Sequence, residues 1–424
     1  MSDNKGPGYI MGSETNGTDK VDTINALVTA DHANQIKLRT MSWQKTACLL
    51  AGEQVCLAIM VQSWSLSYIM KHPLIMDICD FGYYVFGQSK TAYIFSAFMM
   101  LSNNILLVGF HVLTGAKVLN TLSNHSLCTA VFSIITALVG ILMSMPRTLQ
   151  HISFMSMVSS ACMGIAIILF LVFARIEDGP LHGYKGDYPT DGPVKTYAFP
   201  LPGTTWVACL NAVLNIAYLW ASQILFPTFI SEMERPQDFP KALAVLAGIS
   251  AILFIVPSAI GLGVVSYKKS SFGFVIVPTL VIGVIYANVT GKLIYARILG
   301  KSRHSHSHTV IGWSVWVAIM VGIWYVVGFV FAEIIPSMGD FLSLLSAAFD
   351  SFFAFIYFAV AYWRLNRGSL FNSVGKTALT LLNVLVMMVG LFLLGPGLYA
   401  AVEAMIADYS RSVTPAFTCA NIAF

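Results

Sequence analysis

Ten apolar runs follow one another from Trp43 to Met405, and most are long enough to cross a lipid bilayer. A hydrocarbon core about 30 Å thick takes roughly 20 apolar residues per helix. A water-soluble globule has nowhere to hide that much apolar surface. The runs cover 44–69, 92–119, 126–145, 152–174, 205–231, 242–265, 272–298, 309–334, 340–363 and 377–403. They are continuous rather than alternating, which favours helices over barrel strands. Hydrophobic residues make up 57% of the chain and charged ones only 10%, against about 25% charged in soluble domains. The expectation is an all-α polytopic membrane protein of about ten transmembrane helices. A polar N-terminal tail, 1–43, precedes the membrane domain, 44–403, and a C-terminal tail, 404–424, follows it. The first run comes too late and is too long for a signal peptide.

Lys and Arg assign the sides. Arg297, Lys301 and Arg303 crowd one loop, and Arg364, Arg367 and Lys376 crowd another two crossings later. Arg147, and Arg235 with Lys241, fall on that same side, which is read as cytoplasmic; Lys268 and Lys269 fall on the other. The net charge of +4 is therefore a topology signal, and no nucleic-acid partner is indicated. Lys301–His308 alternates Ser and His, but alternate residues in a loop fix no coordination geometry, so a polar loop is the simpler reading. The seven Cys show no CxxC spacing, and most lie in or beside apolar runs. Neither a metal site nor a disulfide framework is expected.

Polar residues inside a bilayer are costly and are the first candidates for function. The richest segment is Asn211–Met233, with Asn211, Asn215, Tyr218, Trp220, Ser222 and Gln223 ahead of Pro227. Pro removes a backbone hydrogen bond, and a helix broken at Ser222-Gln223 frees backbone groups for a zwitterion or an ion. A Pro kink with interhelical amide contacts fits equally well. Ser102-Asn103-Asn104 is the next cluster, and Asn104, His111 and Gly115 share one helix face. A lone membrane His is more often a satisfied interhelical donor than a proton relay. Asn288 and Thr290 lie in the seventh run, with Lys292 one turn on.

Three carboxylates stand out: Glu53 in the first run, Glu333 near the end of the eighth, and Asp350 in the ninth. Asp350 sits deepest in apolar sequence. It is either a protonatable coupling site or a carboxylate hydrogen-bonded to neighbours such as Ser346. Glu53 is the second coupling candidate. No Walker lysine motif, HExxH or GxSxG is present, so neither a primary pump nor an enzyme is expected, and no cofactor.

The string Phe229–Leu243, FISEMERPQDFPKAL, resembles the loop after the sixth helix of the amino acid/auxin permease family, fungal neutral amino acid permeases in particular. Ile36–Trp43 resembles that family's pre-membrane strip, and His111–Thr114 its third helix. Pro146–Leu149 resembles its turn between helices four and five, and Gly283–Ile298 its eighth helix. The resemblance covers most of 36–403. It implies an inverted repeat of five plus five helices and a substrate site between broken helices one and six. It also implies coupled uptake of an amino acid. By position the helix-six break falls at Trp220–Gln223, where family members often carry an aromatic, a small and a polar residue. A neutral or aromatic amino acid is then the expected substrate, a proton the expected coupling ion with sodium the alternative, and the plasma membrane rather than the vacuolar membrane the expected site. Asn215, Tyr218, Trp220, Ser222, Gln223, Asn104 and Asn288 are the candidate substrate contacts.

The chain departs from the family in its first repeat. After Met60 it runs through Val61–Met70 directly into a segment like the family's first cytoplasmic loop. The end of helix one and most of helix two are missing from the pattern, and the linker between Gly263 and Lys269 is short. The fused run 44–69 has no Pro or Gly pair from 53 to 70, so an unbroken helix is expected. Hydropathy favours a single crossing, with the N-terminal tail outside, over a re-entrant path with the tail inside, which the basic strip Lys37, Arg39 and Lys45 favours. A chain so shortened is expected to be unable to transport as it stands, and a transport-defective paralogue or mis-spliced product, acting as an amino acid sensor or inactive, is the alternative reading.

Overall fold

The computed structural model describes residues 41–47, 69, 71–72, 74–176, 200, 203–246, 248–249, 269–300, 302, 304, 309–335, 337–411, 417, 419 and 421–422. The described residues are helical, with one isolated parallel bridge between Met41 and Met233. In chain order the helices are α1 (Ile78–Val85), α2 (Lys90–Ser123), α3 (Thr129–Met143), α4 (Leu149–Ile176) and α5 (Trp206–Ala217). α5 passes into a 3-10 segment, Tyr218–Leu225, and then α6 (Phe226–Glu232). α7 (Lys269–Leu299) follows, then α8 (Val310–Val321) and α9 (Phe329–Ile334), joined by a π-helical turn at Gly322–Gly328. α10 (Met338–Leu345) and α11 (Tyr357–Leu365) flank a π-helical stretch at Ser346–Ile356, and α12 (Val374–Phe392) and α13 (Leu398–Arg411) flank another at Leu393–Gly397.

Six helical stretches among the described residues are long and apolar enough to cross a membrane: Lys90–Ser123, Ile152–Phe173, Gly273–Leu299, Val310–Ile334, Met338–Leu365 and Val374–Ser410. Thr129–Met143 and Trp206–Ala217 are shorter apolar helices. The chain is thus an all-α multi-pass membrane protein, as its hydropathy requires. Most of the run 242–265, and all of 48–68, lie outside the described residues. α13 carries the last helix to Arg411, past the expected boundary at 403, because Glu403 and Asp408 lower hydropathy without breaking helix geometry.

Helix starts follow capping chemistry. Ser89, Thr205, Thr309, Ser337 and Ser373 each accept from a backbone N–H of the first turn, satisfying donors that would otherwise be orphaned. α2 stops at Asn124, which takes a left-handed φ of 55°. Pro227 does not interrupt a helix. It sits in the first turn of α6, where the missing N–H costs nothing.

α7 and the 338–365 span are the most enclosed, and α2 packs along α7. α4 and α12 lie at the rim and expose apolar side chains such as Phe154, Ile168, Leu381 and Leu385, the surface a bilayer would cover. Close approach in the centre depends on glycine. A Cβ on Gly283 would lie 2.7 Å from the Trp324 ring. The indoles of Trp324 and Trp316 both donate to Ser144, to Oγ at 3.0 Å and to the carbonyl at 3.2 Å.

One end of the bundle gathers the basic residues. Arg147 donates to the hydroxyl of Tyr295 and lies 4.6 Å over its ring. Arg297 lies 4.7 Å over Tyr93, and Gly87 is beside Arg364. This is the inner end by the basic-residue rule. Both flanks of the first run arrive there. Met41 exchanges backbone hydrogen bonds with Glu232 and Glu234, at 3.1 and 3.0 Å, and Ser153 Oγ donates to Lys45 O at 2.9 Å. On the other flank α1 packs against α2, α6 and α11. The expected crossing itself falls on 48–68, which lies outside the described residues. The fully buried Met41 is held inside by the strand-like pairing with Met233, a contact that hydropathy does not register.

The expectation of no disulfide is also overturned. Cys128, just before α3, is bonded to Cys419 near the C-terminus. Both lie outside the spans and at the end opposite the basic loops, and only folding brings them together. Cys79, Cys162 and Cys209 are free.

Candidate functional site

α2 and α7 run antiparallel, with Tyr93 beside Arg297 near the inner end and His111 beside Gly283 further out. That register sets Asn103 and Asn104 level with Asn288 and Thr290. All four are buried. Asn103 Nδ2 donates to Asn104 Oδ1 at 3.2 Å, and Asn288 Nδ2 to the Val284 carbonyl of its own helix at 3.1 Å. Asn103 Oδ1, Asn104 Nδ2, Asn288 Oδ1 and Thr290 Oγ1 are left without a partner among the described residues.

The 3-10 segment reaches the same depth from the other side. Phe110 of α2 ties it in register, with ring centroids 6.1 Å from Tyr218 and 5.8 Å from Phe341 of α10. Gln223 lies inward of Tyr218 by about 10 Å, at the ~2.0 Å rise per residue of a 3-10 helix. Asn104 lies inward of Phe110 by about 9 Å at ~1.5 Å per residue. Asp350 lies inward of Phe341 by about 13 Å on the same measure. By this reckoning Gln223, Asn103, Asn104, Asn288, Thr290 and Asp350 lie at a similar depth, one polar layer between the two ends of the bundle. Among the described residues, Gln223 is fully buried with neither its amide nitrogen nor its oxygen bonded, and Asp350 Oδ2 has no partner.

The 3-10 segment packs against the π-helical stretch that carries Asp350. Both windings depart from the α-helical ladder, and such departures concentrate where a helix is asked to do more than span. Ser346 Oγ is also unpaired among the described residues, so of the two readings of Asp350 the hydrogen bond to Ser346 is not made. His111 leaves both ring nitrogens unpaired among the described residues, with its Cβ against Gly283 and its ring beside Phe110, so among those residues it is not a satisfied interhelical donor.

Asn215 stands apart from the layer. Its Nδ2 donates to Asn211 O at 3.0 Å and to Ser343 Oγ at 3.1 Å, tying α5 to α10. Trp220 and Ser222 belong to the 3-10 segment by their backbone; their side chains, and all of Glu53, lie outside the described residues. Asn103 and Thr290 join the layer although neither was a candidate contact. Their signal was adjacency: each neighbours a chosen Asn on a helix that hydropathy marks as a span. Of the His tract, His304 Nδ1 pairs with Thr309 Oγ1 at 3.0 Å, and His306 and His308 lie outside the described residues.

The inner end is closed by charge and aromatic contacts. Lys292 of α7 donates to Glu232 of α6. Asp77 caps α1, accepting from Cys79 N at 2.8 Å and Asp80 N at 2.9 Å. Burial raises the carboxyls of both Asp77 and Asp80, and the charge of Asp77 pushes Asp80 further up. Arg297 and backbone N–H donors pull both the other way. Burial also raises the Cys79 thiol between them and lowers the Arg147 guanidinium.

A family model described as transmembrane amino acid transporter protein matches residues 48–403. The N amino acid transport system protein of Neurospora crassa is 26% identical over 371 residues, which span 84% of this chain and 77% of that protein. A transmembrane transporter of Gibberella moniliformis is 25% identical over 333 residues, or 75% of this chain and 69% of the relative.

Proposed function

Since this chain belongs to the transmembrane amino acid transporter protein family, a family of multi-pass membrane transporters and not of enzymes, we propose that it carries a neutral or aromatic amino acid across the plasma membrane by proton symport. The observation that carries the reading is Gln223: a fully buried side chain with both polar atoms unpaired among the described residues, on a 3-10 segment in mid-bundle. An unpaired buried amide costs about 1–3 kcal/mol, so such a residue is kept where a ligand satisfies it.

An amino acid zwitterion supplies what the layer lacks. Its carboxylate accepts from Gln223 Nε2 and Asn104 Nδ2. Its ammonium donates to Asn288 Oδ1, Asn103 Oδ1 and Thr290 Oγ1. Phe110 and Tyr218 line the outward side of the layer and suit an apolar or aromatic side chain. Trp220 and Ser222, the other sequence candidates, stand one turn or less from Gln223 along the backbone. Asp350 is the coupling group: a carboxyl enclosed in apolar sequence takes a proton when the layer is empty of cation and gives it up when the inner end opens. Sodium is the alternative ion for the same carboxylate. The surrounding architecture is the inverted repeat of two five-helix halves.

The test is uptake of labelled amino acids by this 424-residue chain in a permease-null host, with and without an inward proton gradient. Accumulation of a neutral amino acid that collapses with the gradient supports the reading. Binding without flux, in a chain that reaches the membrane, would replace it with a sensor.

A further inference from the structure

The C-terminal segment is fastened at the outer end of the bundle by contacts of three kinds. Cys419 is bonded to Cys128 across a sequence separation of 291 residues. The Phe417 ring lies 5.8 Å from Phe329 at the start of α9, and the Phe417 backbone donates to Glu333, which also pairs with Ser133 of α3. Ile422 packs against the main hydrophobic core. The tether is anchored from its other side as well: Tyr409 of α13 donates to Ile334 O.

These contacts join two groups of helices. α13 packs against α5 and α10, which carry the 3-10 segment and lead into Asp350. Cys128, Ser133, Phe329 and Glu333 belong to α3 and α9, which pack against α2. The end concerned lies opposite Arg147, Arg297 and Arg364. The basic-residue rule puts this end on the extracytoplasmic side, an oxidising setting in which a disulfide persists.

We infer that Cys128–Cys419 is formed in the exported protein and secures the C-terminal segment as an outer strap spanning these two helix groups. From Arg411 to Cys419 an extended chain reaches about 28 Å at ~3.5 Å per residue. The bond alone therefore does not lock the groups together. It keeps Phe417 and Ile422 at high local concentration over their seats, and the apolar contacts do the closing. Formation is thiol–disulfide exchange: a disulfide carrier of the secretory lumen accepts the two electrons, and the two thiol protons are released to it or to solvent. A phosphine reverses it, yielding two thiols and a phosphine oxide whose oxygen comes from water.

The experiment uses the full chain in native membranes and does not depend on transport. Non-reducing peptide mapping should recover residues 128 and 419 in one cross-linked species that vanishes on phosphine treatment. A cysteine reporter, Phe329→Cys, should react with a polar maleimide at least about fivefold faster in the Cys128→Ser/Cys419→Ser background than with the bond intact. Ile422→Asp with the cysteines untouched should give the same increase, since it unseats the strap without breaking the bond. Free thiols at both positions in untreated membranes would overturn the inference. So would equal reactivity of the reporter in all three backgrounds.

Discussion

Lys292 of α7 and Glu232, the last residue of α6, form an ion pair at the inner end, with side chains 23% and 9% exposed. The Glu232 backbone carbonyl also accepts from Met41 N. One residue thereby joins α6, α7 and the N-terminal segment. All three lie in strings that carry the family resemblance.

Breaking that pair from one side strands a buried carboxylate. Lys292→Met should destabilise the purified protein by about 1–3 kcal/mol, below the 3–5 kcal/mol of a fully buried pair because Lys292 keeps some water. Adding Glu232→Gln should recover part of the loss. Melting of the two single variants and the double gives the coupling; additivity within about 0.5 kcal/mol would remove the pair from the account.

Asp80 gives the inner end a pH dependence of known sign. Burial and the Asp77 charge raise its carboxyl well above 3.8, while Arg297 opposes them. Cys79 lies in the same cluster, and Tyr93 faces it from α2. A raised folded-state value means stability is fullest below the ordinary carboxylate range and declines as pH rises through the raised value. Asp80→Asn removes that decline. Its melting temperature should gain on the wild type as pH rises above about 4, and a constant offset across that rise would show that Asp80 carries no such burden.

Gly283 is a packing requirement. A Cβ there would lie 2.7 Å from the Trp324 ring and 3.1 Å from His111 Cβ, and Trp324 is fixed by its bond to Ser144 Oγ. Gly283→Ala should cost about 1–3 kcal/mol, the usual cost of overpacking. Gly322→Ala, with nothing within 4 Å of the added carbon, should be neutral or stabilising. Equal effects of the two would mean the α2–α7–α8 contact can relax.

The proposed coupling role of Asp350 draws on its burial and on an oxygen unpaired among the described residues. Asp350→Asn should abolish accumulation driven by a proton gradient and leave exchange of labelled for unlabelled amino acid intact. Unaltered gradient dependence in counterflow and uptake assays would make Asp350 structural.

Hydropathy read the spans to within a few residues: 272–298 became Lys269–Leu299 and 309–334 became Val310–Ile334. Apolar length is a property of one segment at a time, and a bilayer imposes it directly. α1 was missed because Asp77, Asp80 and Gly82 break its apolar run, although Asp77 caps it. The π-helical turn at Ser346–Ile356 has no signature, since hydropathy is blind to winding. The change of winding at Tyr218–Leu225 falls where the polar residues and the resemblance placed a break. Cys128 and Cys419 were unpairable in the sequence because nothing local relates residues 291 positions apart. Asn103 and Thr290 entered the polar layer only once the antiparallel register of α2 and α7 was known.

The central claim is that the polar layer binds an amino acid, and the most direct measurement is equilibrium binding of labelled neutral amino acids to the purified chain. Gln223→Ala and Asn288→Ala, each removing one buried partner, should weaken the best-bound amino acid about ten- to hundredfold, the equivalent of about 1–3 kcal/mol, with melting temperatures close to wild type. Wild-type affinity in both folded variants would contradict the account and put the substrate elsewhere.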